Sequence, residues 1–172
     1  MRTDMQQGPE IWLRGPVAPS EPGPQEPAHA VATARRYSWV GTHGGAGVST
    51  LAAVYGGHDC GREWPGPDDP RSVLLVARTH ASGLAAALRA LEVFRRGQAP
   101  QGLDLDALVL VADAPGRLPR PLDRQIRPLE QVIDVYRVPW VPDWRLGDLG
   151  GRPPRETEAL ARLTGTAAGR RG

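Results

Sequence analysis

Residues 37–50 read Tyr37-Ser38-Trp39-Val40-Gly41-Thr42-His43-Gly44-Gly45-Ala46-Gly47-Val48-Ser49-Thr50. The first four residues are typical of a short strand, and residues 49–55 are typical of a helix that Gly56 and Gly57 end. The glycines between them let the backbone turn tightly and aim its N–H groups inward, and the following helix contributes its positive N-terminal end. A strand, a glycine-rich loop and a helix in this order predict a phosphate-binding loop.

The rest of the chain alternates between apolar runs and amphipathic segments. Residues 72–77 and 107–112 are continuous apolar runs, which are typical of parallel strands buried on both faces. Residues 82–96 carry apolar residues at helical spacing, with Ser82 as the expected N-cap. This alternation predicts an α/β fold with a small parallel sheet of about four strands flanked by helices. The remaining expected elements are a helix that Pro121 opens and Pro128 kinks or ends early, a strand over 135–138 and a helix over 156–163.

Length and composition suggest how the chain is divided. A chain of 172 residues favours one domain of moderate size. Residues 1–34 contain six prolines and few large apolar residues, so we expect a disordered tail there. Residues 35–146 are the expected α/β domain, within which residues 58–70 are expected to be a proline-rich loop. Residues 147–172 are expected to form a short helix and a flexible C-terminal tail.

Several classes of function are disfavoured by composition alone. The single cysteine, Cys60, excludes a disulfide scaffold and fits a reducing cytoplasm. No run approaches about 18 consecutive apolar residues, so no membrane partner is expected. All 21 basic residues are arginine, which excludes chemistry that needs a lysine amine. A net charge of only +2 makes nucleic acid a weakly supported partner.

The loop resembles that of the ParA/MinD branch of P-loop ATPases, which reads Lys-Gly-Gly-x-Gly-Lys-Thr-Thr. All three glycines and both hydroxyl residues match, but His43 stands at the signature lysine and Val48 at the phosphate lysine. The resemblance covers roughly residues 37–145 and implies a reduced P-loop NTPase-like architecture with ATP and Mg²⁺ as cofactors. It further implies that Ser49 holds the metal. The phosphate-binding residues implied are Gly44, Gly45, Gly47, Val48, Ser49 and Thr50.

The resemblance leaves two interpretations of Asp113 open. In the first, residues 109–116 are similar to the Walker B strand and the turn after it, so that Asp113 faces the Mg²⁺ site with Ser49. In the second, residues 76–79 and the next helix match the elements after Walker B, and Asp113 lies on the base-recognition strand. In both interpretations, no acidic residue follows Val76-Ala77, where the family carries an aspartate that activates water. The chain is also similar to an uncharacterised family of high-GC bacterial proteins that share Gly-Gly-Ala-Gly-Val-Ser-Thr, Ala-Asp-Ala-Pro-Gly-Arg-Leu-Pro and Pro-Trp-Val.

Other charged and aromatic residues are candidates for the site. Arg78, Arg117 and Arg120 each follow an expected strand end and could replace the missing lysine, with His43 as a further charge partner. An arginine stripe is one possible partner surface, and it could equally be a solvated face with Asp123 paired to Arg127; the stripe is Arg117, Arg120, Arg124 and Arg127. A tryptophan pair, Trp140 and Trp144, is a second possible partner surface, and it could equally be a lid on the sheet. His58 and Cys60 with His43 or His80 match no standard metal spacing.

These observations predict a non-catalytic, degenerate P-loop protein, in which weak nucleotide or phosphate binding is coupled to a protein partner. The absence of both lysines argues against an enzyme, because the P-loop lysine stabilises charge on the transferring phosphoryl group. One alternative is a Mg²⁺-dependent ATPase in which an arginine replaces that lysine. Another is a structural adaptor of a mobile-element or DNA-transfer apparatus with no nucleotide site.

Overall fold

The computed structural model describes residues 36–166. The predicted tail over residues 1–34 and the end of the predicted C-terminal tail lie outside the described residues. No helix within residues 36–166 is both long enough and apolar enough to cross a membrane.

The architecture is a five-stranded parallel sheet with helices on both faces, which confirms the predicted α/β class. The strand order is β2-β1-β3-β4-β5. The strands are β1 (Tyr37–Gly41), β2 (His58–Asp59), β3 (Ser72–Arg78), β4 (Asp104–Val111) and β5 (Asp134–Val138). The helices are α1 (Val48–Tyr55), α2 (Ala81–Arg95), α3 (Arg120–Glu130), α4 (Pro142–Arg145) and α5 (Glu158–Leu163), with a short 3₁₀ turn at Arg155–Thr157 before α5.

Two apolar layers pack on the two faces of the sheet, because alternate residues of a buried strand point to opposite sides. One layer joins Trp39 and Leu74 to Leu51 of α1 and Leu160 of α5. The other layer joins the opposite face of β3 and β4 to α2 and α3, through residues that include Leu75, Leu84, Leu108 and Ile126. Both faces of β3 and β4 are therefore covered, as their continuous apolar runs predict.

The structure corrects the sequence prediction at the edge of the sheet. The predicted 58–70 loop begins with β2, which pairs in parallel with β1, so that Ser38 lies opposite His58. The N–H of Cys60 donates to the carbonyl of Trp39 at 3.0 Å and continues this pairing. The sheet therefore has five strands, one more than the sequence predicted.

Two helix ends also differ from the prediction. His80, rather than Ser82, caps α2, because the N–H of Gly83 donates to its Nδ1 at 2.9 Å. Helix α3 begins one residue before Pro121 and continues through Pro128 to Glu130. Pro121 fits the first turn because an N–H there needs no partner within the helix.

The segment after residue 146 belongs to the same core, so the domain boundary expected there does not separate α5 from the sheet. Leu160 is 1% exposed and packs in the layer under α1. The hydroxyl of Tyr55 donates to Oγ1 of Thr157 at 2.6 Å, and Thr157 is itself buried. These contacts join the C-terminal helix to α1.

We expect Tyr55→Phe to lower the free energy of unfolding by about 1 kcal/mol near neutral pH, because it removes the hydrogen bond to Thr157. Burial raises the pKa of the Tyr55 phenol, and the hydrogen bond with Thr157 opposes this only in part. The unfolded phenol therefore ionises first, and this contribution to stability disappears as the pH rises beyond about 10. Urea unfolding at about pH 7 and about pH 10.5 checks this, with Tyr136→Phe as the control. A variant as sensitive to alkaline pH as the wild type would contradict it.

Candidate functional site

The carboxyl ends of β1 and β3 define a crevice. These strands are neighbours, but β1 leads to α1 on one face of the sheet and β3 leads to α2 on the other. The two connections leave the edge in opposite directions, and ligands of open α/β sheets bind at such a topological switch point. The glycine-rich loop over residues 42–47 and residues 78–80 lie at this point.

The loop needs glycine at two of its positions. Gly45 has φ 72° and Gly47 has φ 106°, values at which a side chain is strained. Gly47 is the N-cap of α1, and no side chain caps this helix by a hydrogen bond. The first N–H groups of α1 therefore remain available at the crevice, together with the positive end of the helix dipole.

His43 attaches the loop to the end of β3. The backbone N–H of Arg78 donates to Nε2 of His43 at 3.0 Å, while Nδ1 of His43 donates to the carbonyl of Gly44 at 2.8 Å. Both ring nitrogens are thus used by the backbone in a neutral imidazole whose proton is on Nδ1. The sequence predicts His43 as a possible charge partner for phosphate, and in the structure its ring joins the loop to β3. Its ring also lies 5.1 Å from the ring of His80.

Arg78 is the arginine that reaches the loop. Its Nε donates to the carbonyl of Gly45 at 3.2 Å and its Nη1 to the carbonyl of Ala112 at 2.9 Å. Burial lowers the pKa of Arg78, the neighbouring guanidinium of Arg145 lowers it further, and Asp113 opposes both effects. The guanidinium is therefore held beside Gly47 by carbonyl groups, at the N-terminus of α1.

A small cavity of about 40 Å³ joins the loop to the segment after β5. Gly47 and Thr50 line one side of it, with Arg78 beside them. The residues that line the other side include Trp140, Trp144 and Arg145. The loop and the two tryptophans are separate candidates in the sequence, and the structure brings them together.

Arg145 is a residue that the sequence analysis missed as a member of this site. Its guanidinium carbon lies 4.3 Å from the centre of the Trp140 ring, a cation–π geometry. Trp144 packs edge-on against Tyr55, with ring centres 6.5 Å apart. Among residues 36–166, neither Arg78 nor Arg145 forms an ion pair with a carboxylate. The only sequence signal for Arg145 was its place next to Trp144.

The two residues predicted to bind the metal, Ser49 and Asp113, follow different strands, β1 and β4. Ser49 is exposed in the first turn of α1, and Asp113 is exposed in the loop after β4. Because β3 separates β4 from β1, these two strands are about 10 Å apart. Asp113 lines a different cavity of about 380 Å³ at the carboxyl end of β4, together with Arg117 and Leu122.

The remaining predicted arginines lie outside the crevice. Arg117 precedes α3, whereas Arg120, Arg124 and Arg127 are exposed on it. Arg127 lies 3.9 Å from Asp123, as the sequence predicted. Asp123 has a closer partner in Arg137, at 3.1 Å. The stripe is therefore partly paired and does not reach the glycine loop.

These features define a class: a doubly wound parallel α/β protein with an arginine-supported glycine loop at its topological switch point. The chain belongs to a family of unknown function, DUF6668, whose model matches residues 37–163. Searches of the curated proteins and of the solved structures found no match.

Proposed function

We propose that this protein binds a phosphate-bearing ligand, most simply a nucleotide, at the glycine loop without hydrolysing it. The observation that carries the proposal is the pair Arg78 and Arg145, two neighbouring guanidinium groups beside the uncapped N-terminus of α1. An anion between them would relieve their mutual repulsion and accept charge-assisted hydrogen bonds. Arg78 would thus take over part of the role of the missing lysine.

The residues at the site are consistent with weak binding of a nucleotide that is not hydrolysed. Losing one charge-assisted hydrogen bond weakens binding roughly 10- to 100-fold, so a ligand at millimolar concentration could still occupy the site. Hydrolysis needs further groups at the site, because the metal and the attacking water must be positioned in addition to the phosphates. The ATPase alternative requires Asp113 beside Ser49, whereas β3 lies between β1 and β4, the strands that precede these two residues.

A relationship to ParA/MinD-like P-loop proteins is part of this proposal. It is supported by the loop residues and by the uncapped α1 that follows them. The position of Asp113 favours the interpretation in which it follows a base-recognition strand, because it lines a cavity at the carboxyl end of β4. On this interpretation the phosphates lie at Gly47 and the base lies toward Asp113.

The coupling to a protein partner is proposed to run through α4. This helix has only four residues and lines part of the cavity of about 40 Å³ beside the glycine loop. A ligand contacting Arg145 would alter how Trp140 and Trp144 pack, and so change the surface offered to a partner. The adaptor alternative expects these indoles to form an exposed apolar patch, but both are half-buried.

The single cysteine favours the cytoplasm as the compartment.

Thermal unfolding and calorimetry with millimolar ATP, ADP, GTP and inorganic phosphate, with and without Mg²⁺, test the proposal. A ligand at about 100 times its Kd raises the free energy of unfolding by roughly 2.7 kcal/mol, a shift of several degrees in Tm. We expect such a shift with at least one nucleotide. We expect Arg145→Met to weaken that binding at least about tenfold, since it removes one of the two cations.

Arg124→Met is the matched control, because Arg124 is exposed on α3 and does not line the cavity. Equal binding by the Arg145→Met and Arg124→Met variants would place the ligand elsewhere. No shift with any of the four ligands would overturn the proposal and leave the loop as a structural turn. Release of phosphate from ATP with Mg²⁺ would support the ATPase alternative instead.

A further inference from the structure

Three side chains with metal-binding atoms meet at the β2 edge of the sheet. His58 belongs to β2, Cys60 follows it directly, and Asp69 lies near the end of the connection to β3. One ring nitrogen, the sulfur and one carboxylate oxygen of these residues all lie within 4.8 Å of one another. Nε2 of His58 lies 3.2 Å from Oδ1 of Asp69. The sequence suggests only a second histidine as a partner for His58 and Cys60, because Asp69 lies in a proline-rich loop that carries no metal-ligand spacing.

The three ligand types match zinc. Zn²⁺ takes imidazole nitrogen and carboxylate oxygen at about 2.0–2.1 Å and thiolate sulfur at about 2.3 Å, in a tetrahedral arrangement. In such a site the nitrogen and oxygen lie about 3.3 Å apart, and the sulfur lies about 3.6 Å from the nitrogen. The observed separation of nitrogen and oxygen is already 3.2 Å. Bringing the sulfur to this distance shortens its separation from the other two atoms by about 1.2 Å at most, which a side-chain rotation supplies.

The backbone holds the three residues in place. The N–H of Cys60 donates to the carbonyl of Trp39 at 3.0 Å, which fixes the chain at the end of β2. The N–H of Gly66 donates to Oδ2 of Asp69 at 2.8 Å and leaves Oδ1 facing His58. This second contact orients the carboxylate in the way that outer-shell hydrogen bonds orient metal ligands. The buried hydroxyl of Ser38 donates to the carbonyl of Pro70 at 2.7 Å and attaches the end of the connection to β1.

We propose that His58, Cys60 and Asp69 bind one zinc-class divalent cation per chain. The ion links β2 to the far end of the connection over residues 60–71, a segment that contains no helix or strand. Three protein ligands leave a fourth position for water or for a ligand of the ion. His58 and Asp69 also line a cavity of about 560 Å³. The site uses none of the residues of the glycine loop, so it stands independently of the proposed function.

The test uses the full chain after removal of any affinity-tag histidines and of bound metal. Calorimetry with Zn²⁺ should give one saturable site per chain. Titration with Co²⁺ should give a thiolate-to-metal charge-transfer band in the near ultraviolet, because Cys60 is the only thiol of the chain. Cys60→Ser should abolish that band, and both Cys60→Ser and His58→Ala should weaken Zn²⁺ binding at least about tenfold.

Asp68→Asn is the matched control for Asp69→Asn, because Asp68 is the neighbouring carboxylate and is not one of the three proposed ligands. We expect only Asp69→Asn to weaken binding. Thermal unfolding of the metal-free variants shows that each one folds. A Kd for Zn²⁺ weaker than about 0.1 mM, a missing charge-transfer band, or equal losses in the two asparagine variants would overturn the proposal. Loss of binding in His43→Ala but not in His58→Ala would overturn it as well.

Discussion

Gly83→Ala is expected to lower the free energy of unfolding by about 3 kcal/mol. Gly83 is buried in the first turn of α2, directly against the end of β3. A Cβ at this position would clash with the carbonyl oxygen of Arg78 and would lie 3.1 Å from Nε2 of His43. The first of these is a backbone atom at the end of the central strand, which cannot rotate away. Helix α2 must therefore move off β3.

This movement would also disturb the crevice. The bond from the N–H of Arg78 to His43 and the cap of α2 by His80 both lie at the same contact. We therefore expect Gly83→Ala to weaken ligand binding as well as stability, because the loop loses its attachment to β3. Chemical denaturation measures the first effect, and calorimetry with the nucleotide that binds best measures the second.

Gly44→Ala provides the matched control in the same crevice. Gly44 is exposed, has no atom within 4 Å of the position of an added Cβ, and does not need a positive φ. The same substitution should therefore change the free energy of unfolding by no more than about 0.5 kcal/mol. Equal stability of the two variants would show that α2 does not pack against β3 as closely as described.

Leu160→Ala is expected to lower the free energy of unfolding by about 3 kcal/mol, within the range seen for buried leucines. Leu160 is 1% exposed and belongs to the same apolar layer as Leu51 and Leu74. Helix α5 has only six residues, too few for a helix that is stable without packing. Removing this side chain leaves a cavity and also loosens the helix that carries it.

Leu146→Ala is the control for this second substitution, because Leu146 is 85% exposed. It should change the free energy of unfolding by less than about 0.5 kcal/mol. Denaturant unfolding of both variants gives the comparison, and hydrogen exchange in α1 shows whether the loss spreads to the neighbouring helix. If Leu160→Ala proved as harmless as Leu146→Ala, the segment after residue 146 would be an appendage and not part of the core.

The fold class could be predicted from sequence, but one strand could not. The runs at 72–77 and 107–112 are long and apolar, so a local pattern suffices to recognise them. Strand β2 is two polar residues, His58 and Asp59, and carries no such pattern. It forms because the edge of β1 is free to pair with it. Pairing with a segment far away in the chain cannot be recognised from a few consecutive residues.

The sequence predicts some residues of the candidate site, but not that they lie together. The glycine loop followed from local sequence, and so did Arg78 as an arginine at a strand end. Arg145 could not be added, because it lies 67 positions after Arg78 in the chain and meets it only through the packing of α4. Asp113 was left with two interpretations, because a strand's neighbours are decided by the order of strands and not by its own residues.

Local chemistry was thus enough for the buried strands, the helices between them and the glycine-rich turn, because apolar periodicity and the positive φ of glycine belong to contiguous residues. Tertiary structure alone decided the order of the five strands, the docking of α5 and the meeting of Arg78 with Trp140 and Arg145. The physical reason is that these contacts join segments far apart in the chain. Their energy comes from burying surfaces that become complementary only when the sheet is assembled.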